Sequence, residues 1–271
     1  DLTHLFVGSE GTLGIITRLT VRLFGQPETI LAATCGFETV AAAVNSVIIA
    51  IQMGIPMARI ELLDEVQMKG MNIFKPDLNL SEKPHLFLEF HGSDASVKEQ
   101  VELFEGVGEE FGASDFAWAT KAEDRARLWA ARHNAYYAGK SLRKGCESVV
   151  TDCCVPISEL ADCIARTKEI IDEAGLIAPL VGHVGDGNFH LLILFDPNDP
   201  EELTKAKQLA SDVNRVALSF GGTVTGEHGV GTGKKKYMAE EHGAAYALMA
   251  TLKRAVDPDN IMNPGKTVDI N

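Results

Sequence analysis

The chain has 271 residues, with a formal net charge of −13 and a pI near 5.1. So acidic a balance repels phosphate backbones and excludes general nucleic-acid binding, while leaving room for a local cationic site that holds a small anion. No apolar run reaches the ~18 residues of a membrane-spanning helix, and the five cysteines, an odd count with Cys153 and Cys154 adjacent and no CxxC spacing, exclude a disulfide framework and point to a reducing compartment.

Residues 4–8 read as a short strand entering a glycine turn, followed by alternating apolar positions over 15–24 that read as a second strand. The chain begins at Asp1 in what reads as the middle of a structured region, so a fragment is expected. From Ile30 the pattern changes. Strands are predicted over 31–37, 58–63, 85–91, 115–119, 148–155, 178–183 and 189–195, with a short one over 223–226. Apolar spacing of three and four predicts helices over 38–53, 95–111, 122–139, 157–174, 200–220 and 240–256. Ser158 is the expected cap of the 157–174 helix, and Gly175 its end. Residues 72–84 read as the longest loop. Strand–helix–strand units with adjoining strands imply an α+β fold: helices packed on an antiparallel sheet, in two lobes of ferredoxin-like type.

The stretch His183-Val-Gly-Asp-Gly-Asn-Phe-His190 carries the most chemistry. With Asp186-Gly187 as a two-residue type I′ turn, His183 faces His190 directly, Cβ atoms ~5 Å apart. Two imidazoles so held can close on one divalent metal. The same pattern also fits two satisfied histidines in a well-formed hairpin. A second segment, Thr225-Gly-Glu-His-Gly-Val-Gly231, sets a carboxylate beside an imidazole in a glycine-rich loop. Glu227 there can complete a two-His, one-carboxylate ligand set with open positions. His228 is then left to move a proton, since imidazole titrates near neutrality. The plain alternative is a turn with a local hydrogen bond. His242 reads as solvent-facing, and the Lys234–Lys236 run as a solvated face or an anion-steering patch. His4, His85, His91 and His133 show no partner pattern.

Four motifs resemble one family: Gly8-Ser-Glu-Gly-Thr-Leu-Gly-Ile-Ile-Thr17, Gly182-His-Val-Gly-Asp-Gly-Asn-Phe-His190, Gly226-Glu-His-Gly-Val-Gly231 and Asp257-Pro-Asp-Asn-Ile-Met-Asn-Pro-Gly-Lys266. The family is the FAD-linked oxidases of the vanillyl-alcohol-oxidase type, in the branch of D-lactate dehydrogenases (cytochrome), glycolate oxidase D subunits and D-2-hydroxyglutarate dehydrogenases. Arg132-His-Asn-Ala-Tyr-Tyr137 and the stretch from Ser148 to Ser158 look nearest the D-lactate branch. The resemblance implies a divalent metal, Zn or Mn, on His183, His190 and Glu227, with His228 as base and Arg132 on the substrate carboxylate. It places Glu10, Gly14, Ile15, Ile16 and Asn263 along FAD. Where the hydroxyglutarate branch carries a lysine and an asparagine, this chain has Val150 and Leu192, which implies a short or apolar substrate side group.

The implied organisation is residues 1–27 as the end of an FAD-binding domain, 28–256 as the substrate or cap domain, and 257–271 returning to the FAD domain. The implied activity is oxidation of a D-2-hydroxy acid to the 2-oxo acid. The implied partners are that small acid, an electron acceptor that is a cytochrome or quinone, and a second copy in a homodimer. The implied location is cytoplasmic, peripheral to a membrane, or mitochondrial in a eukaryote. The main flavin-binding half is not in the sequence, so the isolated chain is expected to bind FAD poorly and not to turn over. Glycolate or hydroxyglutarate oxidation, a metal-dependent hydrolase on the same ligands, and a non-catalytic metal-binding cap are the alternatives.

Overall fold

The computed structural model describes residues 1–78 and 80–270. They form two compact units, one of Asp1–Gly25 with Thr223–Asn271 and one of Gln26–Gly222. Residues 223–256, expected in the cap domain, thus cluster with the N-terminal segment.

The smaller unit opens with helix α1 (Leu2–Phe6), where a strand was expected, because the Asp1 carboxylate accepts from the amides of Thr3 and His4 and caps a turn. Periodicity alone cannot separate strand from helix over so short an apolar run. The alternating segment 15–24 takes no regular structure and pairs with no described strand, and Ile15, Ile16, Leu19, Val21, Leu23 and Phe24 are all exposed. Alternation makes a strand only where a neighbour accepts its backbone hydrogen bonds.

The larger unit holds β1 (Thr29–Gly36), α2 (Val40–Gln52), β2 (Arg59–Leu63), α3 (Glu65–Phe74), β3 (His85–Gly92), α4 (Asp94–Glu110) and β4 (Ser114–Ala119). It continues with α5 (Ala122–His133), α6 (Ala135–Ser141), β5 (Glu147–Val150), β6 (Cys153–Cys154), α7 (Leu160–Ala174), β7 (Leu180–His183), β8 (Asn188–Phe195) and α8 (Pro200–Ser219). One antiparallel sheet runs β4-β1-β3-β2-β7-β8-β5, with β6 also on β8. The first four strands have the ferredoxin-like order, and β7-β8-β5 repeats its inner part in reverse. The two lobes therefore meet strand two to strand two, through Leu62↔Gly182 and Leu63↔Val181.

Local chemistry sets the helix starts. Thr39, Asp64, Ser93 and Asp199 cap α2, α3, α4 and α8 through their side chains, each cap being worth about 1 kcal/mol. Ser158 caps nothing: α7 starts at Leu160 without a side-chain cap, and the Ser158 hydroxyl donates to Glu159. Gly175 does end α7, at φ +63°. The expected 122–139 helix is two helices that break at Asn134, where neither glycine nor proline warns of it. Most of the expected 72–84 loop start is helix α3 and a 3₁₀ turn at Pro76–Leu78; residue 79 lies outside the described residues.

Alternation divides the two faces of the sheet. Cys35, Leu62, Leu88, Phe90, Leu191 and Ile193 point into the main core under α2, α4, α7 and α8. Leu63 and Phe87 point the other way, under Met68, Met71, Trp129 and Ala138 of α3, α5 and α6. The α3–α6 contact is close: a Cβ at Gly70 would come within 2.6 Å of the Ala138 carbonyl oxygen.

In the smaller unit the expected strand at 223–226 is a single bridge at Thr223, and the expected 240–256 helix is two: α9 (Met238–His242) and α10 (Ala244–Val256), broken at Gly243 with φ +52°. The buried Lys253 ammonium ties this unit together, donating to the carbonyls of Thr12 and Met262 and pairing with Asp257.

All five thiols are free, and Cys35, Cys146, Cys153 and Cys163 are buried. Burial pushes Cys35 and Cys163 up to about 12, far from the reactive thiolate. Titration of the folded protein with a disulfide reagent at mildly alkaline pH is expected to count Cys154 at most, and all five after unfolding. Rapid reaction of several thiols in the folded state would contradict this packing.

Candidate functional site

The candidate site lies on the sheet face opposite α2, α4, α7 and α8. Glu61 reaches it from β2, His183 from β7 and His190 from β8, each alternating with a core residue on the other face. Arg132 comes from the last turn of α5, one turn after the buried Trp129.

The hairpin between β7 and β8 differs from the expected one. His183 pairs with Asn188, and His190 pairs with Val181. The connection is therefore residues 184–187, closed by the Asp186 amide donating to the His183 carbonyl (2.9 Å). A type I′ turn needs positive φ at both central residues. Here Gly187 has φ +78° and Asp186 does not. A Cβ at Gly187 would also run into the Val155 carbonyl oxygen. The two histidines keep the same face because the register shift is even, but they meet diagonally. Their ring centroids are 5.7 Å apart and the planes cross at 85°.

Each imidazole is oriented from its Nδ1 side. The His183 Nδ1–H donates to Glu61 Oε1 at 2.7 Å. The His190 Nδ1–H donates to the Thr151 carbonyl at 3.2 Å, with Asp152 Oδ1 at 3.6 Å. This explains why the expected 148–155 strand is interrupted. The register on β8 runs unbroken from Val150↔Leu192 to Cys153↔Phe189, yet the Thr151 carbonyl has left the ladder for His190. The Thr151 hydroxyl takes its place, accepting from the Leu191 amide at 2.9 Å. The Asn188 amide group donates to Asp152 and to the Cys153 carbonyl, fixing that carboxylate beside His190.

Glu61 also holds Arg132. Its Oε2 accepts from Nε at 3.0 Å and from Nη2 at 2.9 Å, and both side chains are almost wholly covered. That uses two of the five guanidinium N–H bonds and leaves the Nη1 side for another anion. Val150 and Leu192 pair directly across β5 and β8 beyond His190; Val150 is exposed, Leu192 is buried with Cys146 and Leu194, and neither carries a polar group.

These donors fit a divalent cation. In a neutral imidazole whose proton sits on Nδ1, Nε2 is the nitrogen able to ligate a metal, and an oriented partner on Nδ1 is typical of metal-binding histidines. The buried Asn188 Oδ1, on the same face, has no partner among the described residues and can accept from a bound hydroxyl.

In the smaller unit, Glu227 and His228 lie side by side, with carboxylate and imidazole 3.7 Å apart and both about half exposed. The loop that follows is pinned by Glu10, whose carboxylate accepts from the amides of Val230 (2.6 Å) and Gly231 (2.8 Å). Glu10 holds this position at φ +52°, and its carbonyl accepts from the Asn263 side chain. Its carboxylate is thus committed within the protein. Gly14 is half-buried, and Ile15 and Ile16 are exposed at the start of the irregular segment. Of the other flagged residues, His242 is one-third exposed beside Glu241, Lys235 pairs with Asp269, and burial holds the pKa of His85 below the usual histidine range.

Glu61 and Asp152 were not singled out from sequence. A signal existed for the first: a lone carboxylate inside the apolar run Ile60-Glu-Leu-Leu63 must find partners when buried.

The profile of the FAD linked oxidases, C-terminal domain, matches residues 26–267. The chain belongs to this family. It is 49% identical to a probable mitochondrial D-lactate dehydrogenase of Danio rerio over all of its length and 54% of that protein. It is 43% identical to a mitochondrial D-lactate dehydrogenase (cytochrome) of Arabidopsis thaliana, over 99% of the chain and 47% of the relative. Glycolate oxidase subunit GlcD of Bacillus subtilis is 34% identical over 98% of the chain and 57% of that subunit. The chain thus spans about half the length of these relatives. Among solved structures, a 4-ethylphenol oxidase from Gulosibacter chungangensis superposes with a TM-score of 0.69 at 15% identity, covering 91% of this chain and 55% of that one. That likeness concerns the fold alone. No helix among the described residues is long and apolar enough to cross a membrane.

Proposed function

We propose that this chain supplies the substrate and metal site of a flavin-dependent dehydrogenase that oxidises a D-2-hydroxy acid, D-lactate foremost, to the 2-oxo acid. The observation that carries the reading is the constellation on one sheet face: two imidazoles with engaged Nδ1 atoms beside a partly buried arginine with an open edge. The identity to D-lactate dehydrogenases supports the substrate class.

Arg132 binds the substrate carboxylate through its open edge, a charge-assisted pair that fixes the acid in one orientation. His183 and His190 are two metal ligands and Glu227 the third. His228 takes the proton from the 2-hydroxyl. Val150 and Leu192 surround the substituent on C2 and leave no polar partner for a second carboxylate. A divalent ion, Zn or Mn, held by His183, His190 and Glu227 would supply Lewis acidity toward the 2-hydroxyl. Gly14, Ile15, Ile16 and Asn263 would lie along FAD, which would supply the redox chemistry when bound. Residues 1–27 and 257–271 belong to the flavin side of the enzyme in this reading, and 28–256 to the substrate side. The electron acceptor is a cytochrome or quinone, the enzyme is a homodimer, and its place is mitochondrial, as in the relatives' names.

The test is flavin reduction in the protein that carries this chain, under anaerobic conditions. D-lactate is expected to bleach the flavin rapidly, with L-lactate and D-2-hydroxyglutarate far slower. Equal or faster bleaching by the dicarboxylate would overturn the assignment of Val150 and Leu192.

A further inference from the structure

We infer that Glu61 is a positioning residue that serves the metal ligand and the substrate anchor at once. The inference rests on the proposed roles of His183 and Arg132 and adds the group that ties them together.

The geometry is specific. One carboxylate faces two different donors with its two oxygens: His183 Nδ1 on Oε1, at 2.7 Å, and Arg132 Nε and Nη2 on Oε2, at 3.0 and 2.9 Å. Glu61 is one register step beyond the Leu62↔Gly182 pair, at the place where β2 of one lobe meets β7 of the other. The three side chains come from β2, from β7 and from α5, the first of the two helices joining the lobes, so this carboxylate fixes groups from separate segments relative to one another.

An ionised carboxylate only accepts hydrogen bonds. His183 facing it must therefore carry a proton on Nδ1, and in that neutral tautomer Nε2 is the nitrogen able to ligate a metal. The guanidinium is held by its Nε edge, which fixes its plane and turns the Nη1 side outward. The two imidazoles differ in how they are fixed. The Nδ1 of His190 has a backbone carbonyl, that of Thr151, which no side-chain substitution removes. The Nδ1 of His183 has the Glu61 side chain.

A glutamine at this position has the same shape but cannot do both jobs. Its carbonyl accepts from one neighbour, and its NH₂ confronts the other. With the carbonyl on Arg132, the NH₂ faces His183 and favours the tautomer protonated on Nε2, which cannot ligate. With the carbonyl on His183, the NH₂ faces the guanidinium, and Arg132 loses its hold.

The test compares Glu61→Gln, Glu61→Asp and Glu89→Gln with the wild-type chain. Glu89 is a buried carboxylate on the neighbouring strand that contacts Arg59 and His91 instead. Mn²⁺ affinity is measured by calorimetry, and the His183 tautomer by ¹⁵N chemical shifts of the metal-free protein. Glu61→Gln is expected to weaken Mn²⁺ binding roughly 10- to 100-fold and to move His183 away from the Nδ1–H form. Glu89→Gln is expected to change neither. Glu61→Asp, one methylene too short to span both partners, is expected to fall between, and carries the test if the glutamine variant does not fold. Unchanged affinity and an unchanged tautomer in both Glu61 variants would overturn the inference. Failure of the wild-type chain to bind Mn²⁺ would sink the metal reading instead, and the tautomer would still judge Glu61.

Discussion

Arg132→Met is expected to lower kcat/KM for D-lactate by about 10²–10³-fold, the scale of truncating one partner of a buried charge pair. Most of the loss is expected on KM, because the proposed pair of guanidinium and substrate carboxylate forms before as well as during reaction. The structure adds a second consequence. Arg132 is the cation on Glu61 Oε2, so methionine strands a buried carboxylate and lowers thermal stability as well. Arg132→Lys is not a rescue. An ammonium is a point charge that cannot keep one edge on Glu61 while presenting another to substrate. Steady-state kinetics on the three forms checks this. A lysine variant with near-normal KM would show that Arg132 acts as a simple charge.

His228→Ala is expected to cost roughly 10²–10⁴-fold in kcat, the usual worth of a positioned general base. Here the effect is on kcat, with KM and metal content little changed. The imidazole is half exposed beside Glu227, so its removal leaves no core cavity and the thermal midpoint stays in place. Turnover near the wild-type rate would remove His228 from the chemistry and leave proton removal to another group.

Most strands and helices of the larger unit were legible because they are amphipathic, and some carry a chemical mark at an end. Gly175 at the end of α7 is such a mark, whereas the caps Thr39, Asp64 and Asp199 emerge only in the structure, and helix α3 behind Asp64 was not expected. The α+β class followed from their order. What sequence could not show was set by tertiary hydrogen bonds. The break at Asn134 has no glycine or proline to announce it, and it ends α5 just after Arg132. The gap at Thr151-Asp152 arises because a backbone carbonyl leaves the sheet for His190. The hairpin failed in detail for a similar reason. Asp186-Gly187 has the composition of a two-residue turn, but Gly187 is pressed against Val155 and Asp186 stays at negative φ. The pairing moved by an even step, so the shared face of His183 and His190 survived while their direct opposition did not. In the smaller unit, residues 4–8 and 15–24 read as strands from alternation, although no described strand pairs with them.

Site geometry was legible at one point, the common face of His183 and His190. It was illegible at Glu61, which stands alone in sequence and gains its meaning from partners 71 and 122 residues away. A buried carboxylate inside an apolar strand is a question that only the fold answers.

The measurement that bears most directly on the account is the metal content of the purified chain, determined by elemental analysis for the wild type and for His183→Ala and His190→Ala. The account predicts close to one Zn or Mn per wild-type chain and little in either variant, with all three forms folded. A wild-type chain without metal after dialysis against Zn²⁺ and Mn²⁺, or variants that keep a full equivalent, would contradict it.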